Sequence, residues 1–141
     1  MKEYEYKHKV HYYETDRMGI THHSNYIRWM EEARVAFLDS IGCSYAKLEE
    51  MKVVSPVLKI TCDYKHTTTF DDDVLIKVKV KSYNGLKLVV KYTMINMASG
   101  QISLEGESEH CFLNENGKII RMKNEYPEFH NTLMTSMENE E

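Results

Sequence analysis

A single change of hydrophobic period constrains the fold more than any other feature of the chain. From Tyr4 to Tyr13 the residues alternate: Tyr4, Tyr6, His8, Val10 and Tyr12 fall on one face, and Glu5, Lys7, Lys9, His11 and Tyr13 on the other. That period of two reads as a strand. After a polar loop, Glu14 to His23, the period lengthens. Tyr26, Met30, Ala33, Phe37 and Ile41 recur at spacings of three and four, Trp29 and Ala36 widen the apolar stripe, and Arg28, Glu31, Glu32 and Asp39 are polar. This predicts an amphipathic helix of about four to five turns. Ser24 or Asn25 is placed to cap its start, and Gly42 to stop it in a left-handed conformation.

Beyond a short second helix expected over Tyr45 to Met51, the period returns to two. Leu58, Ile60, Cys62 and Tyr64 share one face; Val74, Ile76, Val78 and Val80 alternate with Lys77, Lys79 and Lys81. Leu86, Leu88, Val90, Tyr92 and Met94 form a third set, and Ile102, Leu104, Gly106, Ser108, His110 and Phe112 a fourth. Turn signals at Tyr83-Asn-Gly85, Ala98-Ser-Gly100 and Asn114-Glu-Asn-Gly117 predict an antiparallel meander for the last strands. The class is therefore α+β: one long apolar helix needs one apolar sheet face to cover it, and a strongly curved sheet wrapped around the helix supplies that face. Open sheet edges favour pairing with a second copy, so a homodimer or homotetramer is expected. Residues 1–130 read as one domain and residues 131–141 as a polar, flexible tail.

Composition removes several functions. The net charge is −4 and no dense basic cluster occurs, which argues against nucleic acid. No stretch approaches the ~20 apolar residues of a membrane span, and the charged N-terminus is no secretory signal, so a cytoplasmic protein is expected. Cys43, Cys62 and Cys111 form no CxxC pair and are odd in number, which suits buried reduced thiols better than a disulfide framework. His8, His11, His22, His23, His66 and His110 show no zinc-ligand spacing. There is no P-loop or dinucleotide fingerprint either, so neither metal nor cofactor is expected.

The loop before the long helix gathers the reactive side chains: Tyr13, Glu14, Asp16, Arg17, His22, His23, Asn25 and Tyr26. Gly19 allows close backbone approach or a positive φ. The loop enters a helix start, where free N–H groups and the dipole favour developing negative charge. A carboxylate beside such a start suits acyl transfer: the N–H polarises a carbonyl, and the carboxylate attacks it or activates water. Spacing alone leaves open the plainer role of Asp16 as a turn cap.

Here the sequence resembles a family. Tyr13-Glu-Thr-Asp16-Arg-Met-Gly19-Ile-Thr-His-His23-Ser-Asn25-Tyr26, followed by Trp29-Met-Glu-Glu-Ala-Arg34, looks like the signature of 4-hydroxybenzoyl-CoA thioesterase-like proteins. Within that family it is most like the small bacterial acyl-CoA thioesterases of the Tol–Pal and fatty-acid-degradation branch. The D-x-x-G, H-x-N-Y and E-x-A-R elements stand together in order, and Tyr64-Lys-His-Thr-Thr-Thr-Phe70-Asp-Asp-Asp73 resembles the segment entering the family's third strand. The resemblance runs from about Tyr6 to Phe129. It implies a hot-dog fold and an acyl-CoA substrate, coenzyme A being part of the substrate rather than a cofactor. It implies Asp16 as nucleophile or general base, and His23 as the position whose backbone N–H polarises the thioester. It also implies Asn25 and Tyr26 as supports at the helix start, and Tyr13 and Gly19 near the bound acyl group.

The chain departs from the family in one place. Some members hold the nucleotide phosphates with a basic cluster in the hairpin after the third strand, whereas Ser82-Tyr-Asn-Gly-Leu-Lys87 offers only Lys81 and Lys87 nearby. An acyl carrier protein therefore stands as an alternative donor. A non-catalytic acyl-CoA-binding domain and a hydratase on the same fold are the rival functions. The D-x-x-G…H-x-N-Y layout favours thioester hydrolysis, because a pure binder needs no carboxylate beside the thioester.

Overall fold

The computed structural model describes residues 3–138. Its elements run β1 (Tyr4–Lys9), a single 3-10 turn (Tyr12–Glu14), α1 (Ser24–Ser40), α2 (Tyr45–Glu50), β2 (Val57–Tyr64), β3 (Asp73–Tyr83), β4 (Lys87–Asn96), β5 (Ile102–Cys111), α3 (Met122–Glu125) and α4 (Pro127–Glu138). The five strands form one antiparallel sheet in the order β1-β3-β4-β5-β2. The meander β3-β4-β5 is as its turns predict. Strand β1 leads into α1 and α2, β2 then forms one edge beside β5, and β1 forms the other edge beside β3.

The inward faces follow the alternation. Val74, Ile76 and Val78 of β3, Val90, Tyr92 and Met94 of β4 and Leu104 of β5 pack against Trp29, Met30, Ala33 and Phe37 of α1, with all of these side chains buried. Burying a large apolar side chain contributes about 1.5–3 kcal/mol, so this stripe is what holds helix to sheet. Gly106 permits the closest approach. A Cβ there would collide with the Thr61 carbonyl of β2 and lie 2.8 Å from Met30 Cε of α1. The outer face is charged: Lys81 pairs with Glu107 at 2.6 Å and Lys87 with Glu109 at 2.9 Å. This is the hot-dog arrangement that the resemblance implies.

Three boundaries differ from the sequence reading. Strand β1 stops at Lys9 rather than Tyr13, because Glu14 turns back on the chain. Its carboxylate accepts from the His11 amide at 2.8 Å while its own amide donates to the His11 carbonyl at 2.9 Å. Helix α1 is capped by neither Ser24 nor Asn25. His23 holds the cap position, the Ser24 amide donates to His22 Nδ1 at 3.2 Å, and the Asn25 side chain points back toward the loop. The expected stop does occur, Gly42 having φ +84° and donating to the Asp39 carbonyl.

The boundary expected at residues 130 and 131 falls inside α4. Leu133 is fully buried and Phe129 nearly so, with Met134 and Met137 packed on the same core. Phe129, Leu133 and Met137 recur every four residues, which a helix turns to one side, so an apolar stripe anchors this segment where a polar tail was expected. Positions 139–141 lie outside the described residues. Among the described residues no helix is long and apolar enough to cross a membrane.

Candidate active site

The loop between the 3-10 turn and α1 is a small hairpin. Thr15 bridges Thr21, the Asp16 amide donates to the Ile20 carbonyl at 2.8 Å, and the Gly19 amide donates to the Asp16 carbonyl at 2.9 Å. Gly19 closes this turn at φ +81°, the left-handed region that a side chain disfavours. Two ties hold the hairpin to the segment after β2. The Thr21 amide donates to the Thr68 carbonyl at 2.9 Å, and Thr69 Oγ1 donates to the Gly19 carbonyl at 2.8 Å. Thr21 Oγ1 lies 2.7 Å from Thr68 Oγ1, which in turn lies 3.0 Å from the Tyr26 hydroxyl, so three buried hydroxyls lock loop, helix and strand connection together.

Asp16 is half-exposed at the tip of this hairpin. Its Oδ1 accepts from the Met18 amide at 2.8 Å, which realises the turn-capping role. Among the described residues nothing donates to Oδ2, so one oxygen is held by the turn and the other is unengaged. His23, at the head of α1, lines the same pocket as Asp16. Its ring stacks on His22 at 4.3 Å, and its carbonyl accepts from the Tyr26 amide at 3.3 Å and the Tyr64 hydroxyl at 3.4 Å. Among the described residues no group accepts from the His23 N–H. An amide left free at the positive end of a 17-residue helix is a preformed site for developing negative charge.

Asp16, His23 and Tyr26 line one pocket of about 250 Å³, together with Met18, Ile20, Thr21, Tyr64, Lys65, His66 and Thr67. The Tyr26 and Tyr64 rings meet edge to face at 5.6 Å and form an aromatic wall. Tyr13, Gly19 and Asn25 do not line it. Tyr13 is 80 % exposed and stacks on His11, so it stands outside the pocket. Gly19 shapes the hairpin. Asn25 is a tether, its Nδ2 donating to the Glu14 carbonyl at 2.9 Å and to the His22 carbonyl at 3.2 Å. A larger, shallower hollow of about 650 Å³ runs along the outer face of α1 past Arg28, Glu31 and Asp39, but it touches none of the loop's reactive groups.

Beneath the loop, Glu14, already counted among its reactive side chains, meets two residues that sequence reasoning missed. Glu14, His8 and Trp29 form a buried hydrogen-bonded cluster. Its signal was present: the alternation sets His8 on the apolar face of β1, a position where a polar side chain must find a partner. Burial raises the Glu14 carboxyl, but hydrogen bonds from the His11 amide, His8 and Trp29 outweigh it and hold the group below its ordinary value. His8, His11 and Glu14 also bring ligand-type atoms within 4.8 Å of one another. That carboxylate accepts from three donors, the His11 amide, His8 and Trp29.

The fold is that of the hot-dog class, and comparison with known proteins gives the family. Residues 10–133 match the model of the thioesterase-like superfamily, and the chain belongs to that family. Over 123 residues it is 36 % identical to YneP of Bacillus subtilis, which carries the name "putative acyl-CoA thioesterase"; the match covers 86 % of this chain and 88 % of that protein. Among solved structures it superposes on a DHNA-CoA thioesterase from Staphylococcus aureus with a TM-score of 0.90 and 31 % identity, over 96 % of this chain and 91 % of the other. A 1,4-dihydroxy-2-naphthoyl-CoA thioesterase from Synechocystis shares the fold at a TM-score of 0.85 and 15 % identity, over 98 % of this chain and 99 % of the other.

Proposed function

We infer that the chain hydrolyses acyl-CoA thioesters to a free acid and coenzyme A at the Asp16 pocket. The observation that carries the reading is one pocket lined by Asp16, with an unengaged Oδ2, and by His23, whose N–H is free. The substrate carbonyl oxygen takes the His23 N–H, which holds the negative charge as the carbonyl carbon becomes tetrahedral. Asp16 either attacks that carbon or draws a proton from the attacking water. The C–S bond then breaks, and the thiolate of coenzyme A departs with the electron pair; where Asp16 is the attacking group, water then opens the mixed anhydride it has formed, releasing the free acid and restoring the carboxylate. A thiolate is a good leaving group, so no strong general acid is required, and the reaction needs no metal or organic cofactor.

Two further features support the shape of this account. Strand β2 is an edge whose Val57, Leu58 and Tyr64 are largely exposed, and Tyr64 also belongs to the pocket. A second copy pairing at this edge covers it and completes the pocket wall, so the working unit is a homodimer or a dimer of dimers. Lys81 and Lys87 are already paired with Glu107 and Glu109, which leaves Lys65 as the cation at the pocket for a CoA phosphate. Acyl carrier protein is the alternative donor, and the cytoplasm, where both donors occur, is the compartment this reading requires.

The test is free-thiol release from acetyl-, decanoyl- and benzoyl-CoA after exhaustive EDTA treatment and desalting, with light scattering on the same sample. Undiminished turnover by a dimer or tetramer is expected. No turnover on any of the three leaves the acyl-CoA-binding reading in place. Activity that returns only with one added metal overturns the metal-free mechanism.

A further inference from the structure

Beneath the Asp16 hairpin lies a charged cluster that the mechanism above does not use. Glu14 is 4 % exposed. Its Oε1 accepts from the His11 amide at 2.8 Å and from His8 Nε2 at 3.0 Å, and its Oε2 from Trp29 Nε1 at 2.8 Å. The network continues one residue further, since His8 Nδ1 lies 3.2 Å from Glu32 Oε1, and the His8 ring packs on Trp29 at 4.4 Å. The main chain of the same residue is held as firmly. The Glu14 carbonyl accepts from the His22 amide at 2.8 Å and from Asn25 Nδ2 at 2.9 Å. Glu14 is thus tied through its side chain to β1 and to the second turn of α1, and through its carbonyl to the residues on either side of His23. Asp16 follows two residues later in the chain.

We propose that Glu14 is a positioning residue: its buried carboxylate and its carbonyl together fix the spacing between the Asp16 carboxylate and the His23 amide. The proposal rests on the catalytic reading of Asp16 above. A buried carboxylate satisfied by three donors on three segments has little freedom to move. The two reacting groups gain most from such a fixture, because a misplacement of about 1 Å at a reacting centre costs ~10²-fold in rate. A cluster serving only to hold the core together would need no link from its own backbone to both sides of the oxyanion amide.

Two variants remove the fixture differently. Glu14→Gln keeps the volume but sets an NH2 against an existing donor, either Trp29 Nε1 or the His8 and His11 nitrogens. Trp29→Phe deletes the indole N–H and also trims a fully buried ring that packs on His8 and Tyr26, so its loss of stability is read against the reference variant. Leu133→Ala, in α4 and away from the loop, is the reference for loss of stability alone. Each is assayed for kcat, KM and Tm on whichever of acetyl-, decanoyl- and benzoyl-CoA wild type hydrolyses fastest, beside Asp16→Asn.

Glu14→Gln should lower kcat at least about tenfold and Trp29→Phe several-fold, with KM changed by no more than about twofold. Leu133→Ala should keep the wild-type kcat despite a comparable fall in Tm. Wild-type kcat in both loop-cluster variants sinks the proposal, as does an equal loss of kcat in Leu133→Ala. If Glu14→Gln does not fold, Trp29→Phe decides alone. Full activity in Asp16→Asn removes the catalytic reading itself; an inactive Asp16→Asn beside fully active Glu14→Gln and Trp29→Phe removes only the positioning role.

Discussion

Acidification should weaken this protein through one buried histidine, and the size of the effect follows from its surroundings. His110 on β5 is 1 % exposed. Its Nε2 lies 2.8 Å from the Ser108 hydroxyl, which lies 2.6 Å from the Tyr92 hydroxyl, which accepts from the Arg34 guanidinium at 3.0 Å. Burial first, and the Arg34 charge second, push the His110 pKa down to about 4. In the unfolded chain the same ring binds a proton below about 6.5. Between these values the unfolded state holds a proton that the folded state refuses, so stability falls as pH drops from about 6.5 toward 4.

From pH 7 to pH 5 the loss amounts to about 2 kcal/mol. Glu14 does not confuse this window. Its lowered pKa stabilises the fold above the ordinary carboxylate range, and that contribution disappears only at lower pH. Urea unfolding of wild type and His110→Gln at both pH values is the assay, because Gln can still bond Ser108 but does not titrate. Wild type should lose about 2 kcal/mol more than the variant on acidification. Equal losses would refute the reasoning.

Two further outcomes follow from packing. Gly106→Ala should cost about 1–3 kcal/mol, read by urea or thermal unfolding, because the new methyl meets the Thr61 carbonyl and Met30 Cε. Asn25→Ala should cost about 1 kcal/mol in the same measurement and lower kcat more than it raises KM, since it removes the side-chain donor to the Glu14 and His22 carbonyls, leaving each only a backbone amide, without touching the pocket wall.

Much of the fold was legible because hydrophobic period reports which face is buried. Val74, Ile76 and Val78 alternate along β3, while Met30, Ala33 and Phe37 recur along α1, and these are the residues that meet in the core. What the period could not show was where short-range polar bonds override it. Tyr12 continues the alternation of β1 yet is 76 % exposed, because Glu14 folds the chain into a 3-10 turn first. The helical end was misread for the opposite reason: Asn131, Thr132, Thr135 and Ser136 look like a polar tail unless Phe129, Leu133 and Met137 are read together at a spacing of four.

The site divides in the same way. Asp16, His23 and Tyr26 were singled out because the motif and the helix start coincide, and all three line one pocket. Tyr13 was misplaced since neighbours in a tight turn point in unrelated directions, and its ring stacks on His11 instead. Thr68 and Tyr64 were missed as parts of the site because their contacts with the loop span more than 40 residues of chain, a separation no local pattern encodes.

The central claim is that Asp16 performs the thioester chemistry. The measurement that tests it most directly is kcat/KM for acyl-CoA hydrolysis by Asp16→Asn beside wild type, with the far-UV and thermal signatures of the two compared. Asn can still accept the Met18 amide, so the hairpin should persist while the attacking or proton-accepting oxygen is lost. The account predicts a folded variant whose kcat/KM is lower by at least ~10². A folded Asp16→Asn protein that turns over near the wild-type rate would contradict it.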